Sequence, residues 1–402
     1  MAWLLLLGWM QMCAAWAMLL FEQRRFRRDG LLLAPVAPET DALQPTVTVI
    51  IPVRDASTAA ERCVRSIISQ IGVRMLIVVV DDRSAPVAAA QLRALERLDT
   101  RVVVRRVDLL PEGWLGKSNA LQRGAADAGE SDWLLFLDDD CTLDSPTAVY
   151  TACRCAELRS AQLLTLWPRH DGHTLAENLV IPLCGGIIAL WFGPRRFPWS
   201  VRRAYGNGQF LLLDRDAYLS IGGHGTVRSN LIEDVALARV MESAGMSVAV
   251  ASGARLFSVR MYDSLSGAIN GWTRIFVGAL RSGWKIAGSM LWLVFGSLLP
   301  IGAAPLLCWM IIAELSQGHV SAITLATNIV CAIHLALLFV VSWRFWGMGG
   351  CDRRALVQYP ISVLLVLWVL VRAAWTLLVS RRVEWRGVRY QIDREGRIVA
   401  AS

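Results

Sequence analysis

The sequence predicts an α/β fold: a mostly parallel sheet with helices on both faces, and transmembrane helices at both ends of the chain. Three observations carry this. Apolar β-branched runs and helix-spaced segments alternate through four rounds between residues 47 and 137, the pattern of strand–helix–strand units. The 402 residues are 55% hydrophobic with a mean hydropathy of +0.44, which is high for a soluble chain. That excess is gathered at residues 2–20 and in the last third. Finally, charged clusters follow the apolar runs, where open α/β sheets place their ligands.

Residues 1–22 are expected to form an N-terminal anchor. The first charges cluster behind the apolar run, at Arg24, Arg25, Arg27 and Arg28. A secretory signal would carry them in front, so an uncleaved anchor with a cytoplasmic basic flank is expected. Residues 23–45, with Pro35, Pro38 and Pro45, read as a linker. Residues 46–284 are expected to be a cytoplasmic domain. In it, 47–51 is a short buried strand ending at Pro52, and 57–70 is a helix with Ala60, Cys63, Val64 and Ile67 on one face. Strands at 75–80 and 101–107 alternate with helices at 88–98 and 118–128. Residues 133–137, WLLFL, suit a central strand covered on both faces.

A helix at 145–158 and a strand at 162–167 follow. Residues 175–192 are apolar apart from Glu177 and short for a span, so they read as a helix lying on a membrane surface or lining a channel. A strand at 209–213, a helix at 234–244 and a strand at 247–251 close the domain. Residues 285–380 hold three span candidates, 286–313, 320–343 and 355–379. The first contains Pro300 and Pro305, which opens a re-entrant reading. The tail, 381–402, is polar and basic. One span before the domain and three after would leave it outside, whereas Arg381, Arg382, Arg386 and Arg389 argue for the inside. The inside position is preferred.

The candidate chemistry sits in clusters at strand ends. Pro52, Val53, Arg54 and Asp55 follow the first strand, Asp81 and Asp82 the second, and Asp138, Asp139 and Asp140 the fourth. Gly116 and Lys117 precede a helix starting near Ser118, whose amide groups would point at an anion. Strand-end placement makes a shared crevice the natural reading. Its parts are those a nucleotide-sugar requires. Asp81 or Asp82 can accept hydrogen bonds from base or ribose, and Gly116 allows close approach to phosphate. Asp138 and Asp140 can hold Mg²⁺ or Mn²⁺ against a diphosphate. Each also has a plain reading: a helix cap for Asp81 and Asp82, a surface charge for Lys117, a solvated turn for the Asp run.

The ordered set IIPVRD, VVVDDRS, GWLGKSNAL, LFLDDD and NLIEDVAL resembles a membrane-anchored family 2 glycosyltransferase of the GT-A fold. The likeness runs from about Thr46 to Trp284 plus the flanking apolar segments. The tail EWRGVRY resembles the ending of bacterial enzymes that glycosylate lipids, such as hopanoid-associated and carotenoid glycosyltransferases. The resemblance implies an inverting single displacement from a nucleotide-diphosphate donor, UDP-sugar first, to a lipid or polyisoprenoid acceptor. It implies Asp234 of the Glu233-Asp234 pair as base. It implies Asp138 and Asp140 as metal ligands, with Asp139 a lesser donor contact, since relatives often carry Ala there. Gly208 and Gln209 fall in the loop that lines the acceptor side. Processive synthases carry Gln-x-x-Arg-Trp; here residues 270–274 read NGWTR, so Trp272 and Arg274 are expected to cover acceptor and diphosphate while only one sugar is transferred.

Net charge is +8, which suits an anionic membrane surface and a phosphate-bearing substrate. Nucleic acid is not expected, because no basic stretch is interleaved with aromatics. The nine Cys show no CxxC pair and read as reduced thiols. The alternatives are a processive polysaccharide synthase with a drifted motif and a non-catalytic nucleotide-sugar-binding membrane protein. The expected location is a bacterial inner membrane, multi-pass, with the domain cytoplasmic.

Overall fold

The strand at the centre of the domain, β1 (Thr46–Val53), is buried along nearly its whole length. Val47, Val49, Ile51 and Val53 enter one apolar core, and Ile50 enters a second on the opposite face. Thr48 fits between them because its hydroxyl donates to the Ala128 carbonyl at 3.2 Å. The computed structural model of the protein describes residues 2–29, 31–39, 43–172, 174–192, 204–385, 388–393 and 397–401.

After α1 (Ala2–Arg28) and β1 come α2 (Ser57–Ile68), β2 (Arg74–Asp82), α3 (Pro86–Arg93), β3 (Val102–Val107), α4 (Gly116–Ala126) and β4 (Trp133–Phe136). Pro86 opens α3, where a missing N–H does no harm. Then follow β5 (Cys141–Leu143), α5 (Ala148–Leu158), β6 (Leu163–Trp167), β7 (Arg169–His170), α6 (Leu175–Phe192), β8 (Leu211–Asp214), α7 (Arg215–Ser220), α8 (Glu233–Ser243), β9 (Val248–Ser252), β10 (Phe257–Val259) and α9 (Leu265–Leu280).

The large sheet has the order β3-β2-β1-β4-β8-β6-β9. Only β8 runs against its neighbours, β4 and β6; the other pairs are parallel. The mostly parallel α/β sheet is therefore present. With β2 on one side of β1 and β4 on the other, the chain changes its direction of winding at β1, and the carboxyl ends of β1 and β4 frame a crevice. A small sheet, β5-β10-β7, lies where the chain leaves the Asp138–Asp140 turn. Residues 31–33 of the expected linker are pinned to β9: Ser252 N–H donates to the Leu31 carbonyl and Leu33 N–H to that of Ser252.

A further apolar core lies outside the sheet, among helices. It joins α6 and α9 to α10 (Gly283–Leu293), α12 (Ala322–Met348), α13 (Tyr359–Trp375) and the C-terminal strands β11 (Arg382–Trp385), β12 (Val388–Ile392) and β13 (Ile398–Ala401). The short apolar stretch thus becomes α6, packed against α9 and α13. Glu177 fits at its start through a capping box: its carboxylate accepts from the Thr174 N–H and hydroxyl, while Thr174 Oγ1 accepts from the Glu177 N–H. α9 starts on Ser264, whose hydroxyl oxygen accepts the Gly267 N–H.

Among the described residues, three helices are long and apolar enough to cross a membrane, Gly283–Ser316, Ala322–Met348 and Arg353–Ser380, and all are C-terminal. The expectation of such helices at both ends is corrected to that extent. α1 does not stand apart as a separate anchor but lies along α12, with Trp9 Nε1 donating to His334 Nδ1 at 2.8 Å and Gln23 Nε2 to the Val341 carbonyl at 3.1 Å. The re-entrant reading is also corrected. Gly283–Ser316 is continuous through α10, a π turn at Val294–Leu298, and α11 (Leu299–Ser316). Pro300 stands just after that π turn and Pro305 lies inside α11, and the helix runs on through both.

Candidate active site

The crevice at the sheet's carboxyl edge is a cleft of about 290 Å³. Pro52, Val53 and Arg54 reach it from β1, Asp82 from β2, Gly116 and Lys117 from α4, and Asp138, Asp139 and Asp140 from the turn after β4. Asn207 and Gln209 close it from the loop before β8, Glu233 and Asp234 from α8, and Arg274 from α9. Clusters far apart in sequence thus share one cavity. α4 begins at Gly116, two residues before the expected start, so Lys117 stands in its first turn. Gly116 is needed there because a Cβ would run into the Asp82 carboxylate.

Lys117 is the hinge of the charge arrangement. Its Nζ lies 2.7 Å from Asp138 Oδ1 and 2.8 Å from Glu233 Oε1. Burial pulls the ammonium's pKa down, but the negative charges of Asp138, Glu233 and Asp234 outweigh burial and hold it above the usual lysine value. Lys117 is therefore a resident cation between the Asp run and the acidic pair. A Cβ on Gly208 would stand 2.8 Å from that ammonium, so a side chain there would have to shift Lys117.

Asp234 stands in the first turn of α8. Its Oδ2 accepts the Gly208 N–H at 2.6 Å and its Oδ1 the Val235 N–H at 2.7 Å. Burial and the adjacent Glu233 charge push its pKa up to about 7; Lys117 and the two N–H groups pull the other way without winning. A carboxyl held near neutrality is suited to proton transfer at working pH. The plain capping reading does not describe it, since one of its two N–H donors comes from a different loop.

Four expected site residues do not line the cleft. Asp55 is exposed and accepts the Ala85 N–H at 2.7 Å. Asp81 is buried and locked to the Ser84 N–H at 2.9 Å and to Arg106 Nη1 at 2.7 Å, holding the ends of β2 and β3. Gly208 acts through Asp234. Trp272 points away for a helical reason: Gly271, Arg274 and Ile275 share one face at i, i+3, i+4, and Trp272 is turned off it, into the helical core against Phe276. Tyr262, Met261, Leu231 and Tyr390 line the cleft and were not foreseen. For Tyr262 the usable signal was Gly271, whose missing side chain makes room for the tyrosine ring. His224 is structural: buried, 2.9 Å from the Tyr218 hydroxyl and edge-on to Phe136.

Among the described residues, no group of three or more His, Cys, Asp or Glu is placed to cage a metal ion. The turn after β4 is fixed by its backbone, with Cys141 N–H donating to the Asp138 carbonyl and Arg260 N–H to that of Asp140. The nine cysteines are free thiols, eight of them buried.

Comparison with known proteins agrees with the fold. The model of the family Glycosyl transferase family 2 matches residues 48–149, which run from β1 through the Asp turn into α5. The chain is similar to 4,4'-diaponeurosporenoate glycosyltransferase of Staphylococcus aureus (strain USA300), 24% identical over 358 residues, covering 87% of this chain and 89% of that one. Among solved structures it is similar to the mannosyltransferase PcManGT from Pyrobaculum calidifontis in complex with GDP-Man and Mn²⁺. That likeness has a TM-score of 0.52 and 16% identity, and covers 93% of this chain and 98% of that one.

Proposed function

We propose that this chain is a family 2 glycosyltransferase of the GT-A fold and that it transfers one sugar, with inversion, from a nucleoside-diphosphate donor to a lipid or polyisoprenoid acceptor. A UDP-sugar is the first donor to test. The observation that carries the reading is the half-buried Asp234 carboxyl, raised to about 7, in the same cleft as Asp138, Asp139 and Asp140. The named substrate of the staphylococcal relative supports a lipid-type acceptor. So does the position of α9, one face of which walls the cleft while the other packs into the apolar helical core.

Asp234 takes the proton of the acceptor hydroxyl. The oxygen's electron pair forms the new bond to the anomeric carbon from the face opposite the leaving group. The bond from that carbon to the phosphate oxygen breaks, and its electrons depart with the nucleoside diphosphate. Lys117 lies where it can turn from Asp138 toward the diphosphate, and Arg274 faces the same space. Asp138 and Asp140 would hold Mg²⁺ or Mn²⁺. Two carboxylates with phosphate oxygens and water are the usual setting of such ions, and an ammonium already held at Asp138 marks the place as cation-binding. When bound, the metal supplies charge neutralisation of the departing diphosphate.

The helix ends support a membrane placement. Gly283–Ser316, at 34 residues, would be about 51 Å long, well beyond the ~30 Å hydrocarbon core. We therefore assign α11 and α12 as a crossing hairpin, with α1 beside α12, and α10 to the platform with α6, α9 and α13. α13 is long and apolar enough to cross, yet both its flanks meet the domain. Before it, Asp352 N–H donates to Asn178 Oδ1 at 2.8 Å; after it, Ile398 N–H donates to the Ser229 carbonyl at 2.9 Å. In this reading α13 lies in the membrane plane. The two crossings of that hairpin then leave domain and tail together on one face, which we read as the cytoplasmic face of the inner membrane, beside Arg24–Arg28.

Thermal shift of the detergent-solubilised protein across UDP-, GDP- and dTDP-sugars tests the donor reading. One class stabilises it in a Mn²⁺-dependent way, and Asp138→Ala or Asp140→Ala removes that dependence. Equal Mn²⁺ dependence in both variants would count against the metal assignment.

A further inference from the structure

The tail motif EWRGVRY has no part in the chemistry above, yet its last residue reaches the active site. Tyr390 on β12 is only 2% exposed, and its remaining surface lines the cleft together with Arg54, Asp82 and Gly116. Burial raises the phenol's pKa, and the charges of Arg83, Asp82 and Arg54 all act on it. These are the residues at the ends of β1 and β2. They lie across β1 from the Asp138–Asp140 turn, because β2 and β4 flank β1 on opposite sides.

The tail is held there by more than packing. Arg381 takes a left-handed backbone conformation (φ 49°) at the end of the last helix and turns the chain back. β11, β12 and β13 form an antiparallel sheet. Its last strand is fastened to the loop before Glu233 and Asp234 by an Arg397–Asn230 bridge and by the Ile398 N–H donating to the Ser229 carbonyl at 2.9 Å. Val383, Ile392 and Ile398 are buried in the helical core. The sheet is thus tied both to the membrane-side helices and to the loop that carries the base.

We propose that the C-terminal sheet is a wall of the donor site, and that Tyr390 closes the nucleoside end of the nucleotide-sugar's cleft, the exposed edge of its side chain meeting base or ribose. The inference rests on the donor reading above. With Asp138 and Lys117 at the diphosphate end, the β1–β2 end is where the nucleoside must lie, and Tyr390 is the aromatic side chain that closes it. Loss of the ring removes that edge and opens the wall, so donor binding weakens about tenfold. The acceptor side is not touched.

The test uses the full-length protein in nanodiscs, with UDP, GDP and dTDP as probes in the presence of Mn²⁺. Tyr390→Leu keeps apolar volume for the core, and Tyr390→Phe keeps the ring. For the diphosphate that wild type binds best, Tyr390→Leu raises Kd about tenfold and the donor KM in step. It leaves the acceptor KM and kcat within about twofold, and Tyr390→Phe stays near wild type. Hydrogen exchange on wild type gives a readout independent of any variant: amides of 388–392 slow when the diphosphate binds. Unchanged Kd in a folded Tyr390→Leu, or no slowing at 388–392 while wild type binds, overturns the proposal. If wild type binds none of the three probes, the donor reading itself fails, which is a separate result.

Discussion

Asp234 shows how position sets the chemistry of one carboxyl. Half-buried beside Glu233, it has its pKa raised to about 7 by desolvation and the Glu233 charge, while Lys117 pulls that value down. A base must be unprotonated, so kcat/KM rises with pH through about 7 and falls away below it. Lys117→Met removes the opposing positive charge, so the Asp234 pKa moves further up and the acid limb of the kcat/KM profile shifts to higher pH. A limb that stays in place would show that Lys117 does not set the base. Gly208→Ala puts a methyl 2.8 Å from the Lys117 ammonium and 3.3 Å from Asp234 Oδ2. The expected result is a loss of turnover of tenfold or more, on the order of 1.4 kcal/mol, with an unchanged melting temperature, read by steady-state kinetics and a thermal melt.

Among the elements, α4 carries the site because it can lie close to the sheet. A Cβ on Gly124 would meet Ile50 Cγ2 at 2.5 Å and Val80 Cγ2 at 2.9 Å. In an open helix Gly→Ala would stabilise; here overpacking wins, at about 1–3 kcal/mol. Gly124→Ala is expected to lower the melting temperature and weaken donor binding by shifting Lys117 at the same helix's start. A variant as stable as wild type would contradict this. The alternating elements were legible because β1, β2 and β4 are covered on both faces and read as continuous apolar runs. The clustered Asp138–Asp140, Lys117 and Glu233-Asp234 were legible as charges at strand and helix ends. Asp81 was misread because its partner Arg106 sits on another strand, and Trp272 because helical phase was not applied within NGWTR. Tyr390 was out of reach: only the return of the tail, after more than a hundred residues of helix, brings it to the cleft.

At the scale of the whole molecule, the chain folds as a sheet-borne site resting on an apolar helical platform, and its tail comes back to that site. Cysteine labelling tests this topology in a Cys308→Ser background. Val399→Cys reacts from the cytoplasmic side and Gln317→Cys from the opposite side; labelling of both from one side would contradict the crossing hairpin. The sequence left the side of the tail open because α13 has the length and apolarity of a span, and only the contacts of its flanks argue against one. The central claim is that Asp234 is the base of a single sugar transfer to a lipid. It is tested most directly by mass spectrometry of a polyisoprenoid acceptor incubated with the full-length enzyme, Mn²⁺ and the stabilising nucleotide-sugar, comparing wild type with Asp234→Asn. The account predicts one added hexose with wild type, and a rate at least roughly 100-fold lower with Asp234→Asn at unchanged donor affinity. Normal turnover by Asp234→Asn, or a ladder of added sugars with wild type, would contradict it.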